Sequence, residues 1–211
     1  MSVFSAGDPF PLKVAVMPVD TIAINQRRNR FEDDDRVWLF GYGSLIFKAD
    51  FPFLERRPAR IDGWARRFWQ GSHDHRGVPD APGRVVTLVQ EPGAVCGGMA
   101  YLVTADVFDH LDFREKNGYL RFTTTMRFDN HEYARGLVYI ATEDNPAFLG
   151  PAPDMEIARH IARSAGPSGH NRDYLLRLAA ALRDLGQEDA HVFALERCLC
   201  SLEQGGRRAS R

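Results

Sequence analysis

Short apolar or alternating runs, separated by turn residues, occupy the first two thirds of the chain. The first run, Val37 to Phe40, stops at Gly41 and predicts a buried strand. Four further runs rich in β-branched or aromatic residues predict strands over 84–90, 97–103, 123–128 and 134–141. Strands are therefore predicted to dominate this part of the protein.

The pattern changes after Pro151 and Pro153 to apolar residues spaced three and four apart, which is typical of amphipathic helices. Helices are predicted from Asp154 to about 165, from Asn171 to about 185, and from near Asp189 onward, with Asp154 and Asn171 as the caps of the first two. Strands followed by helices indicate an α+β fold, in which helices pack against a mixed or antiparallel sheet.

One short helix is predicted between the strands, and it leads to an unexpected carboxylate. The segment TADVFDHLDFREKNGY predicts a helix capped by Thr104. Its buried face contains Val107, Phe108 and Leu111. Continuing this face reaches Glu115, and a carboxylate facing a core costs several kcal/mol unless it is paired, neutral or in a polar cavity. Two interpretations stay open: a general acid/base in a pocket, or a helix that has already ended, with Glu115 bonded to Arg114 or to a nearby backbone amide.

A glycine-rich loop follows the first predicted strand, with Gly41 and Gly43 on either side of Tyr42. Successive N–H groups in such a turn can point into one concavity and bind an anion or a developing oxyanion, and Ser44 can add a hydroxyl. The loop lacks the endings of a P-loop and of a dinucleotide fingerprint, and Ser44 is not flanked as in a nucleophile elbow. A plain tight turn is the alternative interpretation.

Composition and charge narrow the class of protein. With 44% apolar and 26% charged residues, the 211-residue chain is long enough for a substantial core, and its net charge of -1 gives no electrostatic footprint for nucleic acid or an anionic membrane. No apolar run approaches the roughly 18 to 20 residues that cross a bilayer, and the start lacks a basic leader. A cytoplasmic protein is expected. The odd number of cysteines predicts free thiols.

No metal is predicted. Neighbouring carboxylates such as Asp33 and Asp34 point in different directions and favour a solvated linker. His73 and His75 could supply two ligands, but no third ligand has convincing spacing. The predicted organisation is an N-terminal arm over 1–36, a folded domain over 37–204 and a disordered tail over 205–211.

Seven segments, in order, resemble the ChaC-type γ-glutamylcyclotransferases, which act on glutathione. They are FGYGSLI at 40–46, RRFWQGS at 66–72, DHRGVP at 74–79, PGRVVTLV at 82–89, LDFREKNGY at 111–119, DNPAFLGPAP at 144–153 and GPSGHNRDYL at 166–175. The resemblance implies a mixed β-sheet or small barrel with packed helices and a helical C-terminal part. Small departures occur at Phe47, Asn117 and Asp173, where Trp, Gly and Glu are usual.

The resemblance also implies roles for individual residues. Glu115 is the acid/base, and the loop binds the γ-glutamyl group. The implied substrate-binding residues are Gly41, Tyr42, Gly43, Ser44, Leu45 and Ile46. Tyr174 is a further candidate that would close the pocket with its hydroxyl, or it is a plain core tyrosine.

The implied reaction is an intramolecular cyclisation that needs neither a cofactor nor a metal. The α-amine of the γ-glutamyl residue attacks its own γ-carbonyl, so glutathione yields 5-oxoproline and Cys-Gly. The expected partner is this small molecule, with no nucleic acid and no membrane, and the protein is expected to be a monomer or weak dimer. Two alternatives stay open: a different γ-glutamyl amine or amino acid as substrate, or a non-catalytic anion-binding or regulatory module.

Overall fold

Five long or medium strands form the centre of the protein. The computed structural model describes residues 20–29 and 35–209, with side chains to residue 205. The strands are β1 (Arg36–Gly41), β2 (Glu55–Ser72), β3 (Gly83–Thr104), β4 (Tyr119–Phe128) and β5 (Tyr133–Ala141). A 3-10 turn, Ser44–Ile46, follows β1, and two-residue strands β6 (Ala165–Gly166) and β7 (Gly169–His170) pair with each other.

The five strands close into a barrel in the order β1-β3-β2-β4-β5. All neighbouring pairs are antiparallel except β1 and β5, which close the barrel as a parallel seam with Phe40 opposite Val138. Closure removes the open edges that an unpaired sheet would expose. The predicted α+β fold with a small barrel is confirmed.

Helices cover the barrel from two sides. The helices are α1 (Ile22–Arg28), α2 (Val107–Arg114), α3 (Asp154–Arg163), α4 (Asn171–Asp184) and α5 (Ala190–Ala209). The apolar faces of α3, α4 and α5 bury Ile157, Leu178 and Leu195 completely against barrel side chains such as Phe40. A second core packs α2 through Phe108 and Leu111 against the opposite side of β1.

The largest difference from the sequence expectation is β2. This strand of 18 residues was not predicted for two reasons. Its many arginines interrupt the alternation of apolar and polar residues, and the register of its pairing with β3 shifts after Asp62 and after Arg67, which breaks the period of two. Arg66 points inward and is buried, where its guanidinium pairs with Asp189 at 2.6 Å. The strands predicted over 84–90 and 97–103 are parts of the single strand β3.

Three predicted helix caps are wrong. Thr104 ends β3, paired with Arg36, so α2 begins two residues later than expected, after the cap Asp106. Asp154 is the first residue of α3, after its cap Pro153, and Asn171 is the first residue of α4 and not its cap. Its amide instead bonds the backbone N–H and carbonyl of Arg84, at 2.7 and 2.8 Å. At Thr104 strand pairing with β1, and at Asn171 a side-chain contact with β3, take the place of the local helix cap that was predicted.

The C-terminal helix extends further than the sequence predicted. The last helix continues to Ala209, so residues 205–209 are helical where a disordered tail was predicted; propagating an existing helix gains one hydrogen bond per residue. Residues 1–19, 30–34, 210 and 211 lie outside the described residues, and with them Asp33 and Asp34. The domain limits of 37–204 stay a prediction.

Candidate active site

A small pocket opens at the end of the barrel where β1 leaves the sheet. Its empty space is about 360 Å³, including the solvent at its opening. The end of β1 and the four residues after it line one wall, and the opposite wall comes from the end of α2 and from β3, β4, β5 and α4. The lining residues are Phe40, Gly41, Tyr42, Gly43, Ser44, Leu45, Val86, Glu115, Tyr119, Tyr139 and Tyr174.

Close packing explains the glycines of the loop. A Cβ on Gly41 would lie 2.6 Å from the Leu45 Cβ, and one on Gly43 would lie 3.0 Å from both the Tyr174 hydroxyl and the Val86 side chain. Gly43 itself has a φ of -117°. Glycine here keeps the main chain close to the pocket, because any side chain would fill the space or displace the opposite wall.

Glu115 lies at the exit of α2 and faces the pocket. Its backbone N–H still donates to the Leu111 carbonyl at 2.8 Å, so it is the residue on which the helix ends. Its side chain is 17% exposed and pairs with Arg114 at 3.3 Å. Both interpretations drawn from the sequence therefore hold in part: the helix ends here, and the carboxylate also lines a pocket.

Burial raises the pKa of the Glu115 carboxyl above its ordinary value. The neighbouring Arg114 guanidinium lowers this pKa, while the charges of Asp50 and Asp74 raise it further. Because desolvation is the largest of these effects, the carboxyl binds a proton more readily than an exposed glutamate does. A carboxyl with a raised pKa is suited to accept a proton and return it.

Arg114 is the site residue that the sequence reasoning missed as a functional group. Its guanidinium donates to the Asp50 carboxylate and, at 2.8 Å, to the Ser44 hydroxyl, while it pairs with Glu115. One side chain thus connects the glycine loop to the end of α2. The sequence carried a weak signal, since Arg114 precedes Glu115 directly, but only the fold brings Ser44 and Asp50 to it.

Buried tyrosines complete the pocket. Tyr42 donates its hydroxyl to the Tyr139 carbonyl at 2.8 Å, and Tyr119 donates to the Val86 carbonyl at 3.0 Å. Burial raises the pKa of Tyr42, Tyr119 and Tyr174, and the nearby Glu115 charge raises each of them further. The three hydroxyls therefore stay protonated and surround the carboxylate as neutral polar groups.

A larger chamber adjoins the small pocket. Its empty space is about 1160 Å³, including the solvent at its opening. The two spaces share Ser44, Glu115, Tyr119 and Tyr174 as lining residues. Charged side chains of both signs line the rest, among them Arg76 and Asp74. Glu115 consequently stands between an inner pocket and an outer chamber.

Seven of the eight residues implied as site residues come together here. Ile46 is the exception, because it ends the 3-10 turn and packs against the hydrophobic core. His73 and His75 lie in the irregular segment after β2, where their rings contact the Pro79 carbonyl and the Ser168 hydroxyl. Among the described residues, no group of three or more His, Cys, Asp or Glu side chains is arranged to hold a metal ion.

Comparison with known proteins assigns the fold to a class. A crystal structure of the glutathione-specific γ-glutamyl cyclotransferase from yeast superposes with a TM-score of 0.75 at 32% identity, covering 80% of this chain and 97% of the other. "Gamma-glutamylcyclotransferase 2-3" of Arabidopsis thaliana is 48% identical over 168 residues, 74% of this chain and 84% of the relative. "Glutathione-specific gamma-glutamylcyclotransferase 1" of Danio rerio is 43% identical over 175 residues, 77% and 88% of the two chains.

The fold is that of the γ-glutamylcyclotransferases. The model of one family, described as ChaC-like protein, matches residues 37–201. The chain belongs to this ChaC-like family, and the resemblance carried by its sequence motifs is confirmed. No helix in the described part of the chain is long and apolar enough to cross a membrane.

Proposed function

We propose that this protein is a γ-glutamylcyclotransferase that cleaves glutathione to 5-oxoproline and Cys-Gly. The observation that carries the proposal is the place of Glu115, which lines both the inner pocket and the outer chamber. The relatives from zebrafish and yeast, which carry glutathione in their names, are 43% and 35% identical to this chain and support the substrate.

The two spaces suit the two halves of the substrate. The inner pocket, bounded by the glycine loop, would hold the γ-glutamyl group, and the outer chamber would hold Cys-Gly. The amide bond between the two halves would then lie at their boundary, next to Glu115. A carboxylate at this place serves the nitrogen that attacks and the nitrogen that leaves.

The reaction needs a proton to move between these two nitrogens. Glu115 accepts a proton from the α-ammonium, and the free amine attacks the γ-carbonyl carbon to form the lactam N–C bond. The C–N bond to cysteine then breaks as the carboxyl gives its proton to the leaving nitrogen. The lactam nitrogen loses its second proton by the same route, through Glu115 to the amine of Cys-Gly, which leaves as an ammonium group. The burial that raises the pKa of Glu115 supports both steps, since the carboxyl must bind the proton and release it again.

The loop would stabilise the oxygen that gains charge during the attack. The 3-10 turn uses the carbonyls of Gly43 and Ser44 for its own hydrogen bonds, at 3.1 Å to each of the N–H groups of Ile46 and Phe47. The N–H groups at the start of such a turn have no partners within it and are available to a ligand. Arg114 would hold the Ser44 hydroxyl in place.

Incubation of the purified protein with reduced glutathione tests the proposal. Mass spectrometry should detect 5-oxoproline and Cys-Gly in equal amounts. If neither product forms with folded protein, other γ-glutamyl amines or amino acids are the next substrates to test. Binding of glutathione without turnover of any of these compounds would instead indicate an anion-binding module.

Two narrower points belong to the same proposal. A cytoplasmic location fits a substrate kept reduced there, and Cys96, Cys198 and Cys200 are free thiols, as a reducing compartment favours. The oligomeric state stays a prediction, monomer or weak dimer, which light scattering of the purified protein would check.

A further inference from the structure

The segment Asp20–Asn29 lies before the family match, which begins at residue 37, yet it is fitted closely to the catalytic domain. Thr21 is 2% exposed and Asn25 is fully buried, although both are polar. Burying polar side chains costs free energy unless their hydrogen bonds are made. The partners of these two side chains therefore indicate what the segment does.

Thr21 binds the chain immediately after the proposed acid/base. Its backbone N–H and its hydroxyl both donate to the Lys116 carbonyl at 3.0 Å. The hydroxyl also lies 3.5 Å from the Glu115 carbonyl. Asp20 forms an isolated β-bridge with Asn117. The connection between α2 and β4 is thus held from outside by a short stretch of the N-terminal segment.

Asn25 binds the same connection at its other end. Its side-chain nitrogen donates to the Tyr119 carbonyl at 3.0 Å, and its side-chain oxygen accepts from the Arg121 N–H at 2.9 Å. Arg28 adds a bond to the Arg121 carbonyl at 3.0 Å. Both ends of a five-residue stretch that starts with Glu115 and ends with Tyr119 are therefore fixed by one short segment, α1 and the two residues before it.

We propose that the segment Asp20–Asn29 is a positioning element of the active site, which acts through Thr21 and Asn25 to hold the backbone that carries Glu115 and Tyr119. Both of these residues line the inner pocket, and between them the chain leaves a helix, turns at Gly118 with a φ of 93° and enters a strand. Few regular hydrogen bonds restrain such a connection, so outside bonds determine where its side chains point. This inference rests on the proposed function.

Point variants of the full chain test the positioning role. Asn25→Ala removes both bonds of that side chain, and Thr21→Val removes the hydroxyl at nearly constant volume. We expect kcat on glutathione to fall about tenfold for Asn25→Ala, with KM within about twofold, because misplacing an acid/base by a fraction of an ångström slows proton transfer more than it weakens binding. Thr21→Val should show a smaller loss, and Thr21→Ser should restore activity.

Gln26→Ala is the matched control, because Gln26 is exposed on the same helix. Activity is expressed per folded molecule, with the folded fraction taken from thermal unfolding, so that a merely structural role gives no change in kcat. Unchanged kcat in both Asn25→Ala and Thr21→Val overturns the inference. If Asn25→Ala does not fold, the pair Thr21→Val and Thr21→Ser decides alone, through loss and rescue.

Hydrogen exchange separates this inference from the proposed function. The amides of residues 116–121 should exchange faster in Asn25→Ala than in the parent, whether or not glutathione is the substrate. An inactive parent refutes the proposed function, and unaltered exchange in the variant refutes the positioning role.

Discussion

Replacing Glu115 by glutamine should separate catalysis from stability. The change removes the negative charge and the proton acceptor but keeps the side-chain length and an oxygen that can accept from Arg114. Arg114 also stays bound to Asp50 and Ser44, so the surrounding structure has no reason to move. The unfolding free energy should therefore change by no more than about 1 kcal/mol, the typical contribution of one hydrogen bond.

The sign of this small change follows from the pKa. Burial raises the pKa of the folded carboxyl, so the parent loses stability as pH rises from the unfolded value, about 4.3, through the folded one. The glutamine variant has no such loss. At neutral pH it should be as stable as the parent or more stable, and its stability should vary less with pH above 4.3.

The activity of Glu115→Gln should fall, although its stability is maintained. An acid/base contributes at least about a hundredfold to the rate, or about 2.7 kcal/mol of transition-state stabilisation, so kcat should fall by at least this factor. The assay follows 5-oxoproline and Cys-Gly by mass spectrometry alongside thermal unfolding. Asp173→Asn is the control, because this carboxylate is close to Tyr174 in sequence but 47% exposed. Turnover near the parental rate in Glu115→Gln would refute the role of Glu115.

Three further predictions concern the same barrel. Gly43→Val should lower kcat on glutathione about tenfold, because the valine side chain would enter the pocket, and should lower thermal stability less than activity. Equal losses of thermal stability and of activity would contradict this prediction. Arg114→Gln should move the acid limb of the pH profile of kcat/KM to higher pH, because Arg114 lowers the pKa of Glu115; a limb at unchanged pH would disagree. Arg66→Met should destabilise the protein by about 3 kcal/mol in urea unfolding, because it leaves Asp189 without its buried partner, and a midpoint like that of the parent would count against the pairing.

The spacing of apolar residues correctly predicted the elements whose buried side chains are apolar. The faces of α3 and α4 are buried as their spacing indicates, and Phe108 and Leu111 of α2 pack into a core. The same reasoning drew attention to Glu115, because a charge stood where an apolar residue was expected. Local pattern is a good guide wherever one face of an element meets the core and the other meets solvent.

Pattern failed where polar side chains are buried in pairs. The strand β2 was not predicted, because the inward-facing Arg66 interrupts its apolar alternation. The partner of Arg66, Asp189, is 123 residues away in sequence. Thr21 and Asn25 gave no sign of burial either, since their partners are carbonyls and an N–H of a distant segment. A hydrogen bond between residues far apart in sequence leaves no periodic trace, so it appears only in the structure.

The parallel seam of the barrel has a consequence for the order in which the protein folds. β1 pairs with β3, where Arg36 lies opposite Thr104, and with β5, where Phe40 lies opposite Val138. The partner of β1 in β3 is up to 68 residues further along the chain (104 − 36), and its partner in β5 is 98 residues further (138 − 40). The parallel seam therefore depends on contacts of high sequence separation, while the hairpin of β4 and β5 can form from neighbouring sequence. The glycine loop follows β1 directly, so we expect the substrate pocket to form only when the seam closes, and partly folded chains to have no activity.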